Sequence, residues 1–247
     1  MVDETRETRY TEIDGELVPY TIKSLDEIYK SWVEKESCER LQNRWGDYNV
    51  FHKKSTKKPI IRGINFAIKR CRKKINEEMP TVLDIGCGTG HFMWAIKKDV
   101  GNMIGIDSSE EMLKLAKRQF KEYKRSVNFK VGSCFDIPLK NNAVDMSIQV
   151  DVCMHVGNSF KSIDEMIRVS KHYIVFTGPS FQNTPDRVEN YQIGNISFAV
   201  NTKKLCIYLK KMVKEGRIKK FHFLPRPNTN VYKHKILVIE KNPEYDG

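Results

Sequence analysis

From residue 81 onward, short apolar runs alternate with stretches of helical periodicity. TVLDI (81–85), NMIGID (102–107), VNFKVG (127–132), VDMSIQV (144–150) and HYIVFTG (172–178) are rich in strand-forming residues and too short for typical helices. Strands and helices alternating in this way predict a parallel sheet with crossover helices. Ser108 with Glu111 reads as a capping box ahead of a face made by Met112, Ala116, Gln119 and Tyr123, and Ser162 with Glu165 repeats it. A helix from about Thr202 to Glu215, closed by Gly216, precedes two more strand candidates, IKKFHFL (218–224) and KILVIEK (235–241). The linker PRPNTNVYKH between them leaves no room for a crossover helix, so this pair is expected to be antiparallel. Seven strands result. Upstream, Ile61, Ile64, Ile68, Cys71 and Ile75 form a helical stripe with Lys69, Arg70, Arg72, Lys73 and Lys74 off it. The stretch from Leu25 to Phe51 is also helical in pattern and carries Tyr29, Trp32, Trp45, Tyr48 and Phe51. Residues 1–60 therefore read as a helical N-terminal extension, either packed on the core or acting as a lid, ahead of a core over 61–247.

Composition narrows the class. With 40% hydrophobic and 30% charged residues, the 247-residue chain has enough apolar material for a sizeable core, which excludes wholesale disorder. No window approaches the ~18 apolar residues of a membrane span, and the start lacks the apolar stretch of a secretion signal. The expectation is a soluble, cytoplasmic protein with no membrane partner. Its six cysteines are scattered, without ligand spacing, so neither a metal site nor a disulfide framework is expected.

The net charge of +12 is uneven. Residues 1–36 carry 5 basic and 10 acidic groups, 37–81 carry 12 and 4, 82–200 carry 14 and 13, and 201–247 carry 12 and 4. Two basic flanks thus bracket a neutral middle. They offer a surface for a polyanion such as transfer RNA if they cluster in space, and simple solvation if they do not. The stripe from Ile61 to Ile75 must face the sheet, which turns Lys69, Arg72 and Lys73 away from any site at the strands' carboxyl edge.

The segment Val82-Leu83-Asp84-Ile85-Gly86-Cys87-Gly88-Thr89-Gly90 runs from a buried-looking strand into three alternating glycines and then a helix. Glycine there lets the backbone turn sharply and approach a ligand. A dinucleotide fingerprint would require glycine at position 91, where His91 stands. G-x-G-x-G preceded by an acid resembles motif I of the class I S-adenosylmethionine-dependent methyltransferases, and the resemblance continues to about residue 241. It implies a doubly wound, mostly parallel, Rossmann-like α/β sheet of seven strands with an antiparallel last strand. It also implies S-adenosylmethionine as cofactor. In this alignment Asp107, with Ser108 beside it, takes the place of the acid that binds the ribose hydroxyls, and Asp136 that of the acid on the adenine amino group, flanked by Phe135 and Ile137. The amides of Gly86, Cys87 and Gly88, with Gly90 completing the turn, are expected to meet the cofactor's carboxylate. Asp84 and the Gln149 carbonyl are expected to hold its ammonium.

The resemblance is closest to the broad type 11-like group, whose substrates range from small metabolites to wobble nucleosides of transfer RNA. A small or medium acceptor is the expected substrate, a transfer-RNA-modifying enzyme the alternative, and a non-catalytic S-adenosylmethionine-binding partner subunit the reading from another class. Asp151 replaces the usual small residue after the fourth strand and is a candidate base, as is His155. No N-P-P-Y or D-P-P-Y follows that strand, which disfavours methylation of amide or exocyclic base nitrogens. The 21 residues between Pro179 and Asn201, including Tyr191, form a long insertion that reads as a substrate lid.

Overall fold

The computed structural model describes residues 8–13, 16–21, 58–152, 158–178, 181–182, 187–191, 195–225 and 235–246. Strands β1 (Thr8–Ile13) and β2 (Glu16–Thr21) form an antiparallel pair that the sequence pattern did not announce. Leu25 to Phe51, the helical and aromatic part of the expected extension, lies outside the described residues. Helix α1 (Lys58–Lys74) opens the core, so the expected division after residue 60 falls inside its first turn.

There follow β3 (Thr81–Ile85), α2 (His91–Ile96), β4 (Asn102–Asp107), α3 (Glu110–Gln119), β5 (Val127–Val131), β6 (Val144–Val150), α4 (Ser159–Val169) and β7 (Ser170–Gly178). The insertion holds three short strands, β8 (Phe181–Gln182), β9 (Arg187–Tyr191) and β10 (Asn195–Asn201), paired as a separate sheet in the order β8-β10-β9. Helix α5 (Thr202–Lys214), β11 (Ile218–Pro225) and β12 (Lys235–Lys241) complete the fold.

The main sheet has seven strands in the order β11-β12-β7-β6-β3-β4-β5. β3, β4, β5, β6 and β7 are mutually parallel, and β12 runs antiparallel to both β7 and β11. The strand order reverses between β3 and β6, where a doubly wound sheet opens a crevice at its carboxyl edge. Alternation along the strands divides the core. Leu83, Ile85, Ile174, Phe176, Leu237 and Ile239 pack under α4 and α5, whereas Val82, Met146, Ile148, Val175, Ile236 and Val238 pack under α1 and α2. Both faces are covered, which is why these strands read as nearly continuous apolar runs.

Three local expectations shift. The fully buried stripe of α1 is Ile60, Ile64, Ala67, Ile68 and Cys71, while Ile61 and Ile75 are only half-buried. The N-cap of α3 is Ser109, whose Oγ accepts from the Met112 amide at 3.3 Å, because the strand continues to Asp107 and Ser108 still belongs to the turn. The N-cap of α4 is Asn158, with Oδ1 accepting from Lys161 N at 3.0 Å, so Ser162 and Glu165 are interior residues of that helix. Among the described residues no helix is long and apolar enough to cross a membrane.

Candidate active site

The parallel strands end at one edge, where the turn after β3 meets the end of β4. After β3 the chain turns through Gly86, Gly88 and Gly90, at φ of 68°, 53° and 79°. These left-handed values explain why glycine is needed at alternate positions. A Cβ on Gly86 would lie 2.4 Å from Val152 Cγ2, and one on Gly90 would lie 2.9 Å from Phe120 Cε2. A Cβ on Gly88 would meet nothing within 4 Å. The loop therefore packs tightly on its inner side and faces open space at Gly88.

Its amides are engaged within the fold. Gly86 N and Cys87 N both donate to the Ile106 carbonyl, at 2.7 and 3.0 Å, and Gly88 N donates to Asp107 Oδ2 at 2.7 Å. The three amides expected to meet a carboxylate instead tie the loop to the end of β4. Cys87 is buried, and its Sγ contacts the Gly88 carbonyl at 3.7 Å. Burial, and after it the fields of Asp84 and Asp107, push this thiol well up, so it stays protonated and contributes its main chain.

Asp107 anchors the corner. It is buried, and besides Gly88 N it accepts from Ser109 N through Oδ1 at 2.9 Å. Asp84, also buried, has an Oδ2 with no hydrogen-bond partner. Burial first and the charge of Asp107 second push its carboxyl well above the usual carboxylate range. An orphaned buried acid beside an open glycine face suits a cationic group.

Asp136 is exposed on the loop after β5, tied by a bridge to Ser133, while Ile137 is buried and Phe135 half-buried. Gln149, at the end of β6, is fully buried, and its side-chain amide exchanges hydrogen bonds with Ser162 Oγ at 2.9 and 3.1 Å. Asp151 adopts φ 56°, a left-handed conformation that costs an ordinary residue about 1–2 kcal/mol. Thr177, at the end of β7, holds it there: its Oγ1 accepts from Asp151 N at 3.0 Å and donates to Asp151 Oδ1 at 3.1 Å. Sequence reading missed Thr177, because a threonine inside a strand carries no signal of a partner across the sheet. His155 lies outside the described residues.

The profile of a methyltransferase-domain family matches residues 76–221, which span the glycine turn, the strands β3 to β7 and the acids at and after their ends. The chain belongs to that family. Norajmaline N-methyltransferase of Rauvolfia serpentina is 37% identical over 94 residues, covering 36% of this chain and 32% of the relative. The matches span 26% to 36% of the length of the first three curated relatives. Magnesium protoporphyrin IX methyltransferase from Synechocystis, solved with bound SAM, superposes with a TM-score of 0.60 at 14% identity over 89% of this chain and 98% of that one. A putative methyltransferase in complex with the Trm112 activator of Haloferax volcanii gives 0.60 at 15% identity over 90% and 99%. At these identities the structures show a shared fold. The family's cofactor, S-adenosylmethionine, fits the residues present in two respects: the open face at Gly88 leaves room for close backbone approach, and the unpartnered Oδ2 of buried Asp84 is an acceptor suited to a cationic group.

Proposed function

We propose that the protein transfers a methyl group from S-adenosylmethionine to a small or medium acceptor bound at the carboxyl edge of the sheet. The observation that carries this reading is the glycine turn at the strand-order reversal, open at Gly88, whose amide is held by Asp107, with buried Asp84 and its unpartnered Oδ2 in the preceding strand. Asp107 takes the ribose hydroxyls, Asp136 the adenine amino group between Phe135 and Ile137, and Asp84 with the Gln149 carbonyl the ammonium. When bound, the cofactor supplies an electrophilic methyl group on a positively charged sulfur, so the protein's work is alignment and, where needed, proton removal.

Asp151 is the base or orienting group in this reading. Its carboxylate, fixed by Thr177, receives or positions the N–H or O–H of the acceptor. His155 stands as a second candidate from the same loop. The insertion after β7, which holds the sheet β8-β10-β9, is read as a substrate lid, the residues before α1 as an extension or a lid.

The transfer-RNA alternative requires basic residues beside the methyl group, whereas several lysines of the basic flanks and of β7 are engaged at the opposite edge. Lys74 and Lys220 both reach Glu240, at 3.2 and 3.4 Å, and Lys171 reaches Asp145 at 3.5 Å, close to where β6 and β7 begin. Incorporation of labelled methyl groups into metabolite, RNA and protein fractions, measured separately, tests the assignment. Label confined to metabolites is expected. Label in RNA would favour the alternative, and cofactor binding without transfer to any fraction would favour a non-catalytic partner subunit.

A further inference from the structure

We propose that Glu165 and Arg168, in the last turns of α4, are positioning residues that set the loop after β5 so that Asp136 and Ile137 select adenine over other bases. This rests on the cofactor site proposed above. Between Val131 and Val144 the chain has no regular strand or helix, and its isolated bridge joins Ser133 to Asp136. Such a segment needs outside partners to hold one conformation.

Helix α4 provides them. Arg168 Nε and Nη2 donate to the two oxygens of Glu165, at 2.7 and 2.8 Å, in a bidentate pair. The remaining donors go to the loop: Nη2 to the Ile137 carbonyl at 2.9 Å, and Nη1 to the Leu139 carbonyl at 2.8 Å and Asn141 Oδ1 at 3.1 Å. Glu165 Oε2 in turn accepts from the Ile137 amide at 2.8 Å. The peptide groups on both sides of Ile137 are therefore gripped by one ion pair, next to the residue that meets the base. All five guanidinium N–H groups are used, an arrangement that a lysine ammonium cannot reproduce. Burial pushes the Glu165 carboxyl up, but its bonds from Arg168 and the Ile137 amide outweigh this and hold it below the usual range. The field of Asp136 also falls on Arg168, behind the larger effect of Glu165, so the clamp and the base-reading acid are near neighbours.

A purely structural pair would lower stability, or weaken all cofactor forms alike. A positioning pair alters the choice of base. The readout is the ratio of dissociation constants, by calorimetry, for S-adenosylhomocysteine and its inosine counterpart, which presents an oxygen where adenine has its amino group. Wild-type protein is expected to prefer adenine by roughly tenfold or more, as for a hydrogen bond to a charged acceptor. Arg168→Met and Arg168→Lys should both bring this ratio toward one, the lysine failing to rescue, while Asp107→Ala should weaken both ligands equally. Glu165→Gln, the milder change, should reduce the ratio partly and serves as the test if the Arg168 variants do not fold. A wild-type ratio in folded Arg168→Lys and Glu165→Gln, with loss of the ratio in Asp136→Ala, would overturn the clamp while sparing the cofactor site. Absence of any preference in the wild type would overturn the reading of Asp136 and the clamp with it.

Discussion

Two buried acids near one open loop have opposite circumstances. Asp107 has backbone donors on both oxygens, whereas Asp84 keeps an orphaned oxygen at high pKa. Asp107→Ala should weaken cofactor binding by roughly 1.5–3 kcal/mol, and it should also cost stability, since the amides of Gly88 and Ser109 lose their acceptor. Calorimetry and denaturant unfolding on the same variant check both, and an unchanged dissociation constant would remove Asp107 from the ribose. Asp84 holds its proton more tightly in the folded state than in the unfolded chain. Its contribution to stability is therefore most favourable at low pH and declines as pH rises from the unfolded value toward the folded one. Relative to Asp84→Asn, the wild-type apoprotein should lose thermal stability as pH rises above the usual carboxylate range. Parallel melting curves for the two proteins across that rise in pH would exclude the raised pKa.

The turn after β3 separates stability from binding at neighbouring glycines. Gly86→Ala forces a left-handed alanine against Val152, combining a backbone cost of about 1–2 kcal/mol with overpacking of about 1–3 kcal/mol. Gly88→Ala incurs the backbone cost alone, but its methyl projects into the open face. Unfolding should therefore penalise Gly86→Ala more, while calorimetry should show cofactor binding lost in a folded Gly88→Ala protein. Equal stability of the two variants would contradict the packing described here. All seven strands of the sheet were legible in the sequence: the inner strands because burial on both faces leaves near-continuous apolar runs, and the edge strands β5 and β11 through apolar residues alternating with polar ones. The acids were legible through their positions at strand ends. What sequence could not supply was partnership across the fold. Ser162 and Glu165 matched a capping pattern, yet Asn158 caps the helix and Glu165 turns to Ile137 and Arg168. Spacing shows which residues share a helical turn, whereas the choice between two suitable caps depends on where the preceding chain enters.

At the scale of the molecule, the described parts of the two basic flanks touch at the amino edge of the sheet, where Lys74 at the end of α1 and Lys220 near the start of β11 share Glu240. Exposed Lys73 and Lys219 lie on those elements. Transfer RNA drawn to this edge would not be led to the methyl group. Binding at physiological salt is expected to be micromolar or weaker, and reversing Lys73 and Lys219 to Glu should leave methyl transfer unchanged; submicromolar binding abolished by those reversals would reverse this conclusion. The antiparallel strand has its own consequence for how the chain reaches this state. β12 lies between β7 and β11, so β11, which comes earlier in the sequence, depends on a later strand for its place in the sheet, and β7 depends on it for its second partner. A growing polypeptide can finish β3 to β7 as they emerge, but β11 has no place in the sheet until residues 235–241 arrive. Until then β7 presents an open edge, and assembly of this half is necessarily a late event, when the growing chain is most exposed to mispairing with a second copy.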